Sequence, residues 1–381
     1  MVKDIFIQNK KTNDNKIKVY LQYPWKFPDS PYYKYLLQQH SDNVEYINVE
    51  NQKGVITKKK KFAFSNYLKK IIRGSLNLFH ISLPNKHKTK DGSYDLIHCA
   101  HCVSGNMDKP WVCDIESEWQ LFIGNKNRFS KREVKLILER DNCKKVLAWT
   151  KETYNELIKE YPTVKDKITI VYPPIPSLNV SRKKHLGIVL FFVARYFYWK
   201  GGLDALEVMD RLTKKYDDVS AILVSEVPED IKEKYSRNKK IKIYGLMSQN
   251  ELFEKVYSIG DIFVYPGYSD SFGFAIPEVM SLGVPVISLD ISTRAEIITH
   301  NKNGFLVKYD GDKFDLIKKT EKNKLNENEI NEMCKYTSQL IENKILYKTF
   351  SKNAKDEIIN GKFSIEKINK QMYNIYCNAI K

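Results

Sequence analysis

Short apolar runs alternate with amphipathic segments along most of the chain, a pattern typical of α/β proteins. Apolar runs that predict strands fall at residues 16–23, 44–49, 94–99, 111–115, 145–149, 168–172, 187–193, 219–225, 241–244, 262–265 and 284–289. Patterns that predict helices fall at residues 32–39, 133–140, 150–161, 203–214, 248–258, 274–282 and 364–380. A Pro-rich stretch, 173–176, separates two such series and predicts a stiff linker between two α/β units.

The most informative stretch is 261–290, DIFVYPGYSDSFGFAIPEVMSLGVPVISLD. An apolar strand is followed by a polar loop, 267–273, and then by a short helix with Pro277 in its first turn. Gly283 suits a left-handed helix cap, and Pro285 prevents the helix from continuing. A second β-branched run follows. The order strand, loop, helix, strand predicts a right-handed parallel crossover.

Two carboxylates bracket the start of this helix. Asp270 lies in the loop and Glu278 lies eight positions later. A helix N-terminus attracts phosphate, whereas carboxylates suit hydroxyl groups on either side of it, such as those of a sugar and a ribose. A plainer interpretation makes Asp270 a helix cap and Glu278 a solvated acid. Spacing alone does not separate the two interpretations.

The run 270–278, DSFGFAIPE, continued by VMSLGVPVI, resembles the E-x7-E signature of the family 4 retaining glycosyltransferases, the nucleotide-sugar-dependent group 1 enzymes. It departs from the signature at Asp270, where Glu is usual, and at Ser271, where Pro is common. The resemblance implies the GT-B architecture of two facing Rossmann-like domains with a C-terminal helix crossing back. It places an acceptor-binding domain at 1–175, a nucleotide-sugar-binding domain at 183–362 and the crossing helix at 363–381.

A second element supports the resemblance. Arg195 follows a buried strand, and Lys200 precedes Gly201 and Gly202, which is similar to the family's G-R-x4-K-G element. Two cations at a strand end beside a helix start suit a diphosphate and the charge it gains on departure. Solvated side chains are the alternative. The resemblance implies catalytic roles for Arg195, Lys200 and Asp270.

The resemblance also implies positions around the donor. Backbone groups near Phe272 and Gly273 would contact phosphate, Glu278 would bind ribose hydroxyls, and Gly245, Leu246 and Met247 would lie beside the nucleotide base. In the first domain the family often has a His after the strand 111–115, where this chain has Glu116, with Asp114 nearby. We include Glu116 among the catalytic candidates. Glu296 remains from a family Gly-pair and Glu element, and we interpret it as structural.

The formal net charge of +17 is distributed unevenly. Residues 1–90 contain eighteen Lys or Arg and six Asp or Glu, and Lys53 to Lys90 contains no acid. Residues 62–79 have a basic face and an apolar face, as an amphipathic membrane-surface helix does. An ordinary surface helix packed on the sheet is the alternative. The predicted membrane or acceptor surface consists of Lys58, Lys59, Lys60, Lys61, Lys69, Lys70 and Arg73.

Other features exclude competing classes. No apolar run approaches the ~18–20 residues of a membrane span, and the first residues do not resemble a signal peptide, so we expect a cytoplasmic protein that contacts the inner membrane face peripherally. Six scattered cysteines do not form a disulfide framework. The sequence HCAHC at 98–102 has no second ligand pair, and Asp310-Gly311-Asp312 is typical of a turn with a helix cap. We therefore expect neither a metal nor another cofactor.

These observations predict a hexosyltransferase-type enzyme that moves a sugar, with retention, from a nucleotide diphosphate sugar to a glycan or lipid-linked acceptor. One alternative, suggested by the charge, is a polyanion or nucleic-acid binding protein. Another is a GT-B enzyme that is not a transferase, such as a nucleotide-sugar epimerase. Because the Arg-Lys and Asp-Glu elements lie at successive strand ends, we do not expect a nucleic-acid partner.

Overall fold

The computed structural model describes residues 16–22, 31–38, 40–49, 81–312, 315–316 and 325–381, together with Ile71 and Gly74. Twelve of the described strands form two six-stranded sheets, in which all neighbours run parallel, and two short two-stranded pairs join Leu83–Pro84 to Phe122–Ile123 and Lys86–His87 to Val103–Ser104. The predicted α/β class is therefore confirmed. The predicted surface from Lys58 to Arg73 lies outside the described residues.

The first sheet has the spatial order β6-β5-β4-β3-β1-β2. Its strands are β1 (Ile17–Gln22), β2 (Val44–Ile47), β3 (Leu96–Ala100), β4 (Trp111–Ile115), β5 (Cys143–Ala148) and β6 (Ile168–Ile170). Strands β3 and β4 are buried along their whole length, as expected where helices cover both faces of a parallel sheet.

The second sheet has the order β9-β8-β7-β10-β11-β12. Its strands are β7 (Ile188–Val193), β8 (Val219–Val224), β9 (Ile241–Tyr244), β10 (Ile262–Val264), β11 (Val286–Leu289) and β12 (Gly304–Val307). The chain winds outward from β7 in one direction and then from β10 in the other. This is the doubly wound arrangement of a Rossmann-like domain. The sequence analysis did not predict β12.

Helices connect most of these strands. They are α1 (Pro31–Gln38), α2 (Arg128–Glu139), α3 (Lys151–Glu160), α4 (Gly202–Lys215), α5 (Glu229–Tyr235), α6 (Gln249–Leu252), α7 (Ala275–Ser281), α8 (Arg294–Ile297), α9 (Glu327–Glu342), α10 (Lys344–Ile359) and α11 (Ile365–Ala379). Gly283, after α7, has φ +75°, so the predicted left-handed cap is confirmed. Within the described part of the chain, no helix combines the length and apolar character of a membrane crossing.

The terminal helix α11 crosses back to the first domain, as expected. Its Gln371 side chain donates to the Ile170 backbone oxygen at 3.0 Å. Its Tyr376 hydroxyl lies 2.7 Å from His98 Nδ1 and 3.0 Å from the Tyr46 hydroxyl. These contacts attach the end of the chain to β2, β3 and β6.

The Tyr376 contact belongs to a buried polar network. His98 Nε2 lies 2.8 Å from Asp114 Oδ1, and the Tyr33 hydroxyl donates to Asp114 Oδ2 at 2.9 Å. A carboxylate only accepts, so His98 donates to Asp114 through Nε2. Tyr376, His98 and Asp114 are all fully buried. Because each polar atom is paired, the network fixes where α11 docks on the first sheet.

Tyr376→Phe removes the central hydroxyl and leaves buried groups of His98 and Tyr46 without that partner. We expect a loss of about 1–3 kcal/mol in the free energy of unfolding, the usual cost of such a deletion. Urea denaturation followed by circular dichroism measures it. Tyr373→Phe, on the half-buried side of the same helix, is the matched control. Equal stability of the two variants would contradict the role given to the network.

Candidate active site

The candidate site lies at the carboxyl ends of β7 and β10, where the strand order of the second sheet reverses. Loops that leave two such strands run to opposite faces of the sheet, and ligands bind in the crevice between them. Arg195 and Lys200 follow β7, and Asp270 follows β10. The topology therefore brings two motifs that are 70 residues apart along the chain to one edge of the sheet.

A direct ion pair joins the two motifs. Lys200 Nζ bonds to Asp270 Oδ1 and to the Ser269 backbone oxygen, and the Tyr265 hydroxyl donates to Asp270 Oδ2 at 2.9 Å. Burial raises the pKa of Asp270, but the cations Lys200 and Arg294 outweigh burial and hold that pKa below its ordinary value. Asp270 is therefore a carboxylate. It does not cap α7, whose cap residue, Phe274, has no side-chain capping bond.

Two glycines let the loop after β7 approach its partner. Gly201 has φ +70°, and a Cβ atom there would lie 2.6 Å from Pro266 Cβ. A Cβ atom at Gly202 would lie 2.3 Å from the Phe197 ring. The Lys200 backbone oxygen accepts from the Gly267 N–H at 3.0 Å, which ties the two loops together. Arg195 is half-buried at the same strand end, two residues after β7.

Sequence reasoning missed Arg294, which is fully buried at the start of α8. Its Nη2 donates to Asp270 Oδ2 at 2.6 Å and to the Gly267 backbone oxygen at 2.7 Å. Its guanidinium carbon lies 5.6 Å from the centre of the Tyr265 ring. Residues 291–300, ISTRAEIITH, mix polar and apolar types, so the local sequence carries no clear signal that Arg294 is buried.

Glu278 lies in α7 and is 7% exposed, so the interpretation as a solvated acid is wrong. The Tyr35 hydroxyl, which belongs to α1 of the first domain, donates to Glu278 Oε1. The Gln249 amide donates to the same hydroxyl at 3.4 Å. Burial raises the pKa of Glu278 to about 7, against hydrogen bonds from Tyr35 and Tyr257 that lower it. Tyr35 was not predicted, and its local sequence contains no signal for this contact.

The remaining donor-side candidates lie around these acids. Phe272 is buried, and Gly273 has φ +80°, with Asp270 Cγ 3.4 Å from the position of an added Cβ. Gly245, Leu246 and Met247 form the segment between β9 and α6, where Ser248 and Glu251 make the predicted capping box. Gln249 lies two residues after Met247, and its contact with Tyr35 places the segment on the same side of the crevice as Glu278.

The two acids at the end of β4 differ in their surroundings. Asp114 is enclosed by the buried network and offers no free face to a ligand. Glu116 is half-buried, and its Oε2 accepts from the Gln120 amide at 3.0 Å. Of the two positions left open by the sequence, only Glu116 remains a candidate.

An imidazole nevertheless lies beside this position and comes from the neighbouring strand. His101 directly follows β3, and its Nδ1 lies 3.3 Å from Asp114 Oδ2. Its ring centre is 4.9 Å from that of Trp149, which in turn is 5.8 Å from the ring centre of Phe274, the residue after the loop 267–273. From its sequence, His101 was a candidate only as a metal ligand. Among the described residues, no group of three or more His, Cys, Asp or Glu is arranged to hold a metal ion.

Glu296 connects the two domains. Its carboxylate accepts from the Lys151 and Glu152 backbone N–H groups at 2.8 and 3.3 Å, and from the Tyr172 hydroxyl at 3.1 Å. It therefore supplies negative charge to the N-terminus of α3, where the helix dipole is positive. The geometry gives Glu296 a structural role.

Comparison with known proteins agrees with this geometry. A family model described as "Glycosyl transferases group 1" matches residues 178–357. Residues 178–357 belong to the group 1 glycosyl transferases. The resemblance seen in the two motifs is confirmed, and the matched region contains Arg195, Lys200, Asp270, Glu278 and Arg294.

Individual relatives and solved structures agree with the family match. The D-inositol 3-phosphate glycosyltransferase of Pseudarthrobacter chlorophenolicus is 22% identical over 260 residues, covering 58% of this chain and 60% of that protein. The chain spans between 22% and 61% of the length of the curated relatives it matches. A glycosyltransferase structure from Rickettsia africae matches with a TM-score of 0.60 at 16% identity, covering 96% of this chain and 99% of that one. Anabaena Alr3699/HepE in complex with UDP matches with a TM-score of 0.58 at 15% identity, covering 94% and 98%. The likenesses to solved structures show the fold, the GT-B pair of domains that the resemblance implied.

Glu278→Gln tests the ionisation of the buried acid. The pKa of the Glu278 carboxyl is about 7 in the folded protein and has its ordinary value of 4.5 in the unfolded chain. Between pH 4.5 and pH 7 the folded state therefore keeps a proton that the unfolded state has released. Wild-type stability therefore falls as pH rises from 4.5 to 7, by about 3 kcal/mol at most. The neutral Gln does not titrate. We expect the variant to gain stability relative to wild type at pH 8 and not at pH 4.5.

Denaturant unfolding at the two pH values gives the comparison. Glu254→Gln, on the outside of the same domain, is the control for a general effect of removing a negative charge. A stability difference between Glu278→Gln and wild type that is the same at both pH values would contradict the raised pKa.

Proposed function

We propose that the chain transfers a sugar from a nucleotide diphosphate sugar to an acceptor. The observation that carries the proposal is the Lys200–Asp270 pair at the switch point of the second sheet, inside the group 1 region. Their meeting at a ligand-binding crevice supports a site for a charged substrate that also carries hydroxyl groups.

The roles follow from the chemistry of each group. Arg195 and Lys200 hold the diphosphate with the backbone N–H groups near Phe272 and Gly273, and Asp270 orients the donor sugar. Glu278 binds the ribose hydroxyls. Its carboxylate is able to accept from hydroxyl groups, since it already accepts a hydrogen bond from the Tyr35 hydroxyl. Gly245, Leu246 and Met247 lie beside the base. Glu116 contacts a hydroxyl of the sugar or acceptor from the first domain.

The reaction we propose retains the anomeric configuration. The acceptor attacks from the side that the diphosphate leaves, and the leaving phosphate takes the acceptor proton. Electrostatic stabilisation of that leaving group supplies most of the rate. Arg195 and Lys200 provide the positive charge that a metal provides in other transferases, so we propose that neither a metal nor another cofactor is required.

The acceptor is proposed to be a glycan or a lipid-linked sugar, reached from the cytoplasmic face of an anionic membrane. Described residues of the first domain add support. Phe129 at the start of α2 is 79% exposed and Leu83 is 52% exposed. A 2.9 Å hydrogen bond between Ser82 and Ser130 holds their segments together. Arg128 and Arg132, near Phe129 in the chain, are exposed, and the combination suits lipid headgroups.

Nucleotide binding tests the proposal directly. We expect UDP, GDP or their sugar conjugates to raise the melting temperature without added metal, and duplex DNA to leave it unchanged. Lys200→Met should weaken binding of the stabilising nucleotide at least tenfold, measured by calorimetry. Lys214→Met removes a 68% exposed lysine from the same domain and should bind like wild type. Arg195→Ala should reduce the rate of sugar transfer far more than it reduces the free energy of unfolding.

Several outcomes would contradict the proposal. One is an absence of any nucleotide-induced shift in a folded wild-type protein. Another is a shift produced by DNA, which would favour a polyanion-binding function. A product that is an epimer of the donor sugar would favour a non-transferase. Near-normal transfer by Arg195→Ala would remove Arg195 from the site.

Vesicle flotation tests the membrane proposal. The wild-type chain should float with phosphatidylglycerol vesicles and much less with phosphatidylcholine vesicles. The double variant Leu83→Ser, Phe129→Ser should lose most of this binding. Ile345→Ser changes an 80% exposed isoleucine of the second domain and should float like wild type. Equal flotation of all three proteins would exclude the patch.

A further inference from the structure

The single negative charge of the Asp270 carboxylate is in contact with two cationic side chains. Lys200 bonds to Oδ1 and Arg294 bonds to Oδ2, while the Tyr265 hydroxyl completes the contacts. One carboxylate therefore has two cations in direct contact. If one of these cations moves away, the other still pairs with the Asp270 carboxylate.

The two cations differ in their freedom to move. The Lys200 side chain is 18% exposed, on a flexible stem at the crevice. Arg294 is 0% exposed and is held by the Gly267 backbone oxygen and the face of Tyr265. The planar guanidinium of Arg294 cannot move away from Asp270 without losing these contacts as well. Arg294 is therefore the fixed partner of Asp270, and Lys200 is the mobile one.

Arg294 also supports the loop from Gly267 to Gly273. Its Nη2 bonds to the first residue of that loop, and its Nη1 lies 3.4 Å from the position of an added Cβ at Gly273. Within the described residues, Nη1 and Nε have no hydrogen-bond partner, although both are buried. The hydrogen bonds that hold the guanidinium are therefore those of Nη2 to Asp270 and to the Gly267 backbone oxygen.

We propose that Arg294 is a positioning residue that keeps Asp270 neutralised while Lys200 moves from Asp270 to the donor diphosphate. This inference rests on the proposed function and names the residue that makes Lys200 available for it. Without Arg294, Lys200 is the remaining direct cation of a buried carboxylate, and moving it to phosphate leaves that carboxylate unpaired beside an incoming anion.

A double-mutant cycle with Asp270 separates this role from a general structural one. Binding of UDP or GDP, whichever stabilises the wild-type chain, is measured by calorimetry for Arg294→Met, Asp270→Asn and the pair. We expect Arg294→Met to bind at least tenfold more weakly than wild type. We expect the pair to bind within about threefold of Asp270→Asn, because Arg294 acts through the Asp270 charge. Arg294→Lys, which keeps the charge, should recover most of the affinity.

Arg182→Met is the matched control. Arg182 bonds to Asp261 at 2.9 Å and to the Tyr257 backbone oxygen at 3.0 Å, before the start of β10 and away from the crevice. Its loss should lower stability and leave nucleotide affinity unchanged.

Three results would overturn the inference. One is wild-type affinity in a folded Arg294→Met protein. The second is a pair that binds tenfold more weakly than Asp270→Asn, and this comparison holds even if Arg294→Met alone does not fold. The third is a loss of affinity in Arg294→Lys as large as in Arg294→Met. If neither UDP nor GDP binds the folded wild type, the proposed function fails and this inference fails with it.

Discussion

The shared carboxylate of Asp270 is the constraint on which the second domain's crevice depends. An ionised carboxylate in a buried position is costly unless cations pair with it. Lys200 comes from the loop after β7 and Arg294 from the segment after β11, so the pairing ties the ends of three strands to one point. Because two cations, Lys200 and Arg294, pair with one acid, Asp270, a net positive charge remains at this edge of the sheet. That surplus suits an anionic ligand.

The second acid of the motif is satisfied in another way. Glu278 receives hydroxyl hydrogen bonds, and the Tyr35 hydroxyl comes from the opposite domain. Glu296 likewise reaches across to the backbone of Lys151. The domain interface therefore includes two acids of the second domain bonded to donors of the first. Any shift of α1 relative to α7 would therefore change the surroundings of Glu278.

The sequence predicted what depends on local pattern. Apolar runs located most strands, and the two motifs located Lys200 and Asp270 because each follows a strand of the second sheet. Tyr35 was missed as a site residue because it contacts Glu278 across 243 residues of chain. Arg294 and His101 were missed because each contacts an acid that follows or ends a neighbouring strand, Asp270 and Asp114, and strand order is not readable from the local pattern. A short helix such as α8 has too few residues for a periodic signal. Whether Glu278 is solvated could not be decided, since a first-turn acid gives the same pattern when buried or exposed.

The two acids of one motif, eight residues apart, have pKa values displaced in opposite directions. Cations hold Asp270 ionised, whereas burial raises the pKa of Glu278 to about 7. Environments that separate two pKa values usually assign separate roles. An ionised Asp270 cannot protonate a leaving group, and Glu278 is engaged by hydroxyls from Tyr35 and Tyr257. The absence of a proton donor among these two acids supports the proposal that Arg195 and Lys200 stabilise the departing diphosphate electrostatically.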